Sequence, residues 1–273
     1  MQTIAIANHK GGVGKTTTAV CLSAALIERG KRVLLVDLDE QGSASDWLGN
    51  QHENAGAELS KAILHGTGLG TLVQETACGV DLIATNEVFH SFHIEAASEP
   101  GAEQLLREAV AALESRWDYL VFDCPPSLNI ATVSALVASD FLLVPVETKY
   151  MSLRPLARLF QLLGSVQKRL NPELRLAGVI ASKVRGGTRH CTDVVKRLRE
   201  TFGDAVFTTV IRDSIRIGEA PGHGKGVTLY DPGGLGAADY RALAAEFEAR
   251  LAEEIPAKMT PKKDRSAKEV ANA

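Results

Sequence analysis

The chain has 273 residues, 45% hydrophobic and 23% charged, enough to bury a sizeable core in one large domain or two. Its net charge of -3 gives no global attraction to nucleic acid, so any such contact has to come from a local basic patch. No apolar run approaches the roughly 20 residues of a membrane span, and the N-terminus lacks the basic-then-apolar order of a signal peptide, so a cytoplasmic protein is expected.

In chain order, "TIAIAN" is a continuous apolar run of strand length, followed by a glycine loop and a helix expected from about Thr16 to Arg29, which Gly30 stops. "KRVLLVDLD" reads as a second buried strand. The region from Gly49 to Gly79 is richer in Gly, Asn and His and reads as a loop-and-short-helix insertion. "GVDLIAT" is a third apolar run, and after it "HSFH" sets His90 and His93 on one side of a helix. No neighbouring Cys or acidic residue completes a metal set there, which favours a structural role. Further strands are "DYLVFDC", "FLLVPVE", "LRLAGVIAS" and "AVFTTVI"; helices are "AEQLLREAVAALESRW", "LARLFQLLGSVQKRL", "CTDVVKRLRETF" and "AADYRALAAEFEARLAEE". Cys21, Cys78, Cys124 and Cys191 are scattered along these elements without C-x-x-C spacing, as in a reducing compartment. Apolar strands alternating with helices predict an α/β fold: a doubly wound, mostly parallel sheet with helices on both faces. Its binding crevice should lie at the carboxyl ends of the strands. This domain is expected to span 1–255, followed by a flexible basic tail at 256–273 that has no core-forming periodicity.

The loop "NHKGGVGKTTTA" carries the chemistry. Its end, Gly14-Lys15-Thr16, matches the phosphate-loop pattern G-x-x-x-x-G-K-[ST], but His9 stands where the first glycine belongs. Gly11, Gly12 and Gly14 leave room for the backbone N–H groups around Val13 to turn toward an anion, and the following helix points its positive end there. Lys15 is expected to reach the β- and γ-phosphates, the Thr16 hydroxyl to hold Mg2+, and Thr17 to contact the α-phosphate. A purely structural glycine turn would not require a Lys-Thr pair opening a helix after a buried strand. Asp123 ends the strand "YLVFDC", where a carboxylate can join the Mg2+ shell. Asp37 and Asp39 end another strand; paired carboxylates there are costly unless they sit in a site, near a cation, or in a solvated turn.

"KGGVGKTTTA", "VLLVDLDEQG", "FDCPPSLN", "PVETKYMSL" and "IRIGEAPGHGKGVTLYDP", in this order, resemble the ParA/Soj branch of the deviant Walker A ATPases, the partition ATPases related to MinD. The likeness runs to about Glu254. It implies a P-loop NTPase that binds ATP and Mg2+ and becomes a homodimer when ATP-bound, with Lys10 crossing to the partner's nucleotide. It casts Lys10, Lys15 and Asp39 as catalytic, Asp39 positioning the attacking water, and Asp37 near the metal beside Thr16 and Asp123. A cation supplied in trans would stabilise charge on the transferred phosphoryl group as an arginine finger does. Glu40 stands where the family commonly has proline, a departure expected to alter the loop rather than the chemistry.

The resemblance further implies non-specific DNA binding, nucleoid association in the ATP state and a ParB-like activating protein. Candidate DNA contacts are Arg185, Arg189, Lys196 and Arg197, with Arg199 beside them, and Arg212, Arg216 and Lys225 in the next basic stretch. Arg216 leads, because it lies in the part most like the family; a solvated helix face is the competing explanation. A MinD-like membrane cycle needs a C-terminal amphipathic helix, and Met259 and Val270 alone give the tail no apolar face. An ATPase that positions a protein cluster and a metabolic enzyme on the same scaffold are the remaining alternatives; Cys124 has no second cysteine placed to make an iron–sulfur ligand pair. No helix-turn-helix precedes the first strand, so DNA contact is expected to tolerate any sequence.

Overall fold

A computed structural model of the chain describes residues 1–49, 52–114, 116–148, 153–185 and 189–252, with only the backbone described at 153–155, 189 and 190. The predicted tail at 256–273 lies outside the described residues.

In order, the elements are β1 (Gln2–Ile6), α1 (Lys15–Glu28), β2 (Val33–Asp37), α2 (Ser43–Leu48), α3 (Ala55–His65), β3 (Gln74–Glu75), β4 (Asp81–Ile83), α4 (His90–Ala96), α5 (Ala102–Ala111) and β5 (Tyr119–Asp123). They continue with α6 (Ile130–Val137), β6 (Phe141–Glu147), α7 (Leu153–Arg169), β7 (Arg175–Val184), α8 (Arg189–Phe202), β8 (Val206–Arg212), α9 (Ile215–Glu219), α10 (Val227–Tyr230) and α11 (Leu235–Ala252). The strands pair as β3-β4-β2-β5-β1-β6-β7-β8, all parallel except the β3–β4 edge.

The strands read as continuous apolar runs because both faces are covered. Side chains alternate across the sheet. Ile4, Ile6, Val33, Leu35 and Val121 face one way, into a core with Leu22 and Leu26 of α1, Trp47 of α2, and Tyr240, Leu243 and Phe247 of α11. Ala5, Leu34, Val36, Leu120 and Phe122 face the other, against Leu59 and Ile63 of α3, Leu106 of α5, Leu136 of α6, Leu159 of α7 and Leu198 of α8. The α/β, mostly parallel architecture expected from the sequence is therefore the one observed.

Several details differ from the sequence reading. The 49–79 region, expected as a loop-and-short-helix insertion, does hold a helix, and it also joins the fold: α3 buries Leu59, Ala62 and Ile63 in the core, and β3 adds an antiparallel edge, Gln74 opposite Leu82. Two residues of strand leave no alternation to detect. The helix expected through "ESRW" ends at Ala111, and Trp117 instead enters the core with its indole N–H donated to Asp81 Oδ2 at 2.7 Å. The short α6 went unanticipated; Asn129 caps it by accepting the Thr132 N–H.

Strands β2 and β5 lie on one side of β1 and β6 on the other, so the connections diverge at the sheet centre, the switch point beyond whose carboxyl ends α/β sheets bind their ligands. There the register sets Asp123 beside both Ile6 and Asp37.

Candidate nucleotide site

Gly12 and Gly14 have φ of 75° and 92°, a left-handed conformation that favours glycine. No non-glycine residue of the loop has a positive φ, so the position held by His9 does not demand glycine. The loop is instead anchored at its front by Asn8, which donates to Pro145 O at 2.7 Å and accepts the Lys10 N–H at 3.1 Å. Gly14 opens α1 without a side-chain cap and no acidic residue occupies the first turn, leaving the positive helix end facing the loop. Thr16 and Thr17 are half-buried at that end.

Lys15 is buried, with its ammonium 3.4 Å from Lys10 O. Burial lowers its pKa, opposed by the charges of Asp123 and Asp39. Lys10 points elsewhere: its Nζ lies 3.2 Å from Glu147 Oε2 at the end of β6. Both phosphate-loop lysines thus have distinct carboxylate neighbours within the same chain.

The three aspartates differ in how they are held. Asp37 is fully buried and accepts the Asp39 N–H on one oxygen and the Ala44 N–H, Ser45 N–H and Ser45 hydroxyl on the other, fixing the start of α2. Burial still pushes its carboxyl up to about 7. Asp39, 8% exposed, accepts the Gln41 N–H and is raised by burial. Asp123 is fully buried; the Thr16 hydroxyl is directed at its carboxylate, but neither oxygen is held in a well-formed hydrogen bond. Burial first and Asp37 second raise its pKa well above the carboxylate range; Thr16 and Lys15 pull the other way without offsetting them. An orphaned buried carboxylate is costly unless a cation completes it.

Residues 1–176 match the model of a family described as an AAA domain. The chain is 42% identical over 250 residues to the chromosome-partitioning ATPase Soj of Thermus thermophilus, covering 92% of this chain and 96% of that one. It is 38% identical over 247 residues to the sporulation initiation inhibitor protein Soj of Bacillus subtilis, covering 90% and 98%. The chain belongs to the ParA/Soj family of partition ATPases. The same fold carries other work: a cobyrinic acid a,c-diamide synthase from Mycobacterium smegmatis, solved with an ATP analogue and magnesium, superposes with a TM-score of 0.82 at 28% identity, covering 93% of this chain and 96% of that one.

Glu40, where the ParA/Soj family commonly has proline, has a visible use. Its Oε2 lies 2.9 Å from His90 Nδ1 and 3.6 Å from His93 Nε2, tying the Asp39 loop to α4. The acidic neighbour that the sequence reading denied to "HSFH" is thus supplied from fifty positions upstream, a separation no local pattern reveals. Asn129, oriented by its cap bond, donates to His93 Nε2 at 3.1 Å, and burial lowers the His93 pKa. Among the described residues, no group of three or more His, Cys, Asp or Glu has the geometry to hold a metal alone.

The basic candidates are placed differently from the loop. Arg185, 58% exposed, pairs with Asp213 at 2.7 Å; Lys196 lies 3.8 Å from Glu200, and Arg216, 59% exposed, pairs with Glu219 at 2.8 Å. Arg197 sits with Lys196 on α8, whereas the side chain of Arg189 lies outside the described residues. Arg212 remains 41% exposed but is tied into the fold: its Nε donates to both oxygens of Asp239, at 2.9 and 3.1 Å, joining β8 to α11. Sequence reasoning missed Asn8, Glu147, Ser182 and Lys183. The last two are polar residues near the carboxyl end of an apolar strand, the signal that had exposed Asp123.

No helix among the described residues is long and apolar enough to cross a membrane. All four cysteines are free and buried, and burial raises the Cys124 thiol pKa, which leaves it an inert neighbour of Asp123.

Proposed function

We propose that this protein is an ATP-driven dimerisation switch that grips DNA without sequence preference in its ATP state and lets go on hydrolysis, serving chromosome or plasmid partition. The observation that carries the reading is the Asp123 carboxylate, buried without a well-formed hydrogen bond and facing the Thr16 hydroxyl, Lys15 and the uncapped start of α1. Such an arrangement fits an anion flanked by a cation.

The N–H groups from Gly11 to Gly14, with Lys15 and Thr17, bind the phosphates. Magnesium fits this donor set, because Asp123 offers oxygens without a well-formed hydrogen bond, Thr16 a hydroxyl directed at them, and Asp37 a further carboxyl on the neighbouring strand. When bound, Mg2+ neutralises charge on the phosphate oxygens. Asp39 orients the attacking water, and its burial keeps the carboxylate close to the reacting end of the site. Lys10 leaves Glu147 and serves the nucleotide of a second copy, which makes assembly and hydrolysis one event.

The basic edge around Arg185, Lys196, Arg197 and Arg216, with Arg189, then meets DNA phosphates, and a ParB-like protein accelerates release. In the cell this places the ATP form on the nucleoid. The structural likeness to the diamide synthase favours, as a second reading, a metabolic ATPase whose turnover ignores DNA.

Sedimentation velocity separates the states. The protein is expected to be monomeric with ADP and dimeric with a slowly hydrolysed ATP analogue. The Asp39→Ala variant should dimerise on ATP itself and turn over at least about a hundredfold more slowly. A monomer under every condition, or normal turnover in Asp39→Ala, overturns the switch.

A further inference from the structure

The end of β7 reaches across the sheet to the phosphate loop. Ser182, 3% exposed, donates its hydroxyl to Val13 O at 2.7 Å. The next residue, Lys183, donates its ammonium to Gly12 O, also at 2.7 Å. Two consecutive residues of one strand therefore hold two consecutive carbonyls of the loop.

The backbone at this point is unusual. Among the described residues Lys183 is the only non-glycine with a positive φ, 53°. A side chain is disfavoured in that conformation, and such positions persist where the surroundings over-determine them, most often at functional sites. Here the surroundings do so. Thr148 donates its N–H to Ser182 O at 3.1 Å and its hydroxyl to Lys183 O at 3.2 Å, while the Asp213 N–H donates to Val184 O at 3.0 Å.

The consequence follows from peptide geometry. In a planar trans peptide the C=O of one residue and the N–H of the next point in opposite directions. Pulling the Gly12 carbonyl toward Lys183 aims the Val13 N–H the opposite way, and pulling the Val13 carbonyl toward Ser182 does the same for the Gly14 N–H. Gly12 and Gly14 are the loop residues with left-handed φ, so the segment they bracket has the most freedom to flip these peptides. We propose that Ser182 and Lys183 are positioning residues of the phosphate loop, holding its Gly12 and Val13 carbonyls outward so that the Val13 and Gly14 N–H groups are preset for an anion. The left-handed turn at Lys183 is what brings its ammonium to the loop immediately after Ser182 has used the strand's inward direction.

This inference rests on the nucleotide reading of the loop, and the test keeps the two apart. Affinity for a fluorescent, slowly hydrolysed ATP analogue is measured alongside the melting temperature of the nucleotide-free protein, for the wild type, Lys183→Gly, Lys183→Arg and Ser182→Ala. Lys183→Gly removes the ammonium and relaxes the backbone. It should weaken binding about tenfold while leaving the melting temperature unchanged or higher. Ser182→Ala should weaken binding about fivefold, because its hydroxyl is committed to the Val13 carbonyl. Lys183→Arg, which keeps a cationic donor, should recover most of the affinity lost in Lys183→Gly. Wild-type affinity in Lys183→Gly or in Ser182→Ala overturns the clamp alone. A fall in melting temperature that accompanies the loss in Lys183→Gly assigns Lys183 to fold stability and overturns it too. Failure of the wild type to bind the analogue overturns the nucleotide reading, and the clamp with it.

Discussion

The carboxyl ends of β1, β2 and β5 and the basic edge around β7, α8 and α9 both gather charge, but they treat it in opposite ways. At the strand ends Lys15, Asp37 and Asp123 are buried, and Asp123 has no well-formed hydrogen bond to hold its charge. At the basic edge Arg185 and Arg216 are mostly exposed, and each leans on a nearby carboxylate, Asp213 or Glu219. Burying a charge without a partner costs free energy that only a ligand returns, whereas an exposed ion pair contributes about 0–1 kcal/mol. Buried charge therefore marks a site by its cost, and solvated charge can serve a partner without leaving such a mark.

The sharpest way to break this contrast is at Lys15. Lys15→Ala should weaken ATP-analogue binding by about a hundredfold or more, read by equilibrium titration. Retained tight binding would remove Lys15 from the site and leave its burial without a use.

The next effect is on stability and runs against intuition. Asp123→Asn keeps the shape and removes the stranded charge, so the ligand-free protein should gain on the order of 2 kcal/mol near pH 8 in a denaturant titration while losing Mg2+-dependent turnover. The pH dependence has the same sign. The folded-state pKa of Asp37 is raised to about 7, so the stability this group contributes is fully present below its unfolded value and is lost as pH rises through about 7. Ligand-free protein should therefore unfold more readily at pH 8 than at pH 6, and Asp123→Asn should shrink the difference. A destabilised Asp123→Asn would mean that the carboxylate is structural.

The smallest effect belongs to the basic edge. Arg216→Ala should leave stability within about 0.5 kcal/mol, weaken DNA binding in the ATP state, and reduce the salt slope by about 1. No change in either binding measure would move the DNA surface elsewhere on the molecule.

The same contrast explains what the sequence made legible. Lys15, Thr16 and Asp123 stood out because glycine, lysine and acid residues at the ends of apolar runs are local, and the parallel sheet followed from apolar runs alternating with helices. Contacts across long separations were hidden. Glu40 meets His90 and His93 on a helix fifty positions away, and Lys183 reaches Gly12 across 171 positions. Arg212 looked like one more surface cation until the fold bound it to Asp239. The α3 and β3 segment hid for another reason: glycine-rich composition and a two-residue strand carry little periodicity, although six residues of α3 are buried.

The central claim is that nucleotide bound at the buried, costly end governs grip at the solvated, basic end. It is tested most directly by measuring binding to DNA of unrelated sequences with ADP and with a slowly hydrolysed ATP analogue, across salt concentrations. Binding is expected with the analogue alone, equal for all sequences, with affinity falling steeply as salt rises. Binding that is the same with both nucleotides, or absent with the analogue while anionic liposomes are bound instead, would contradict it.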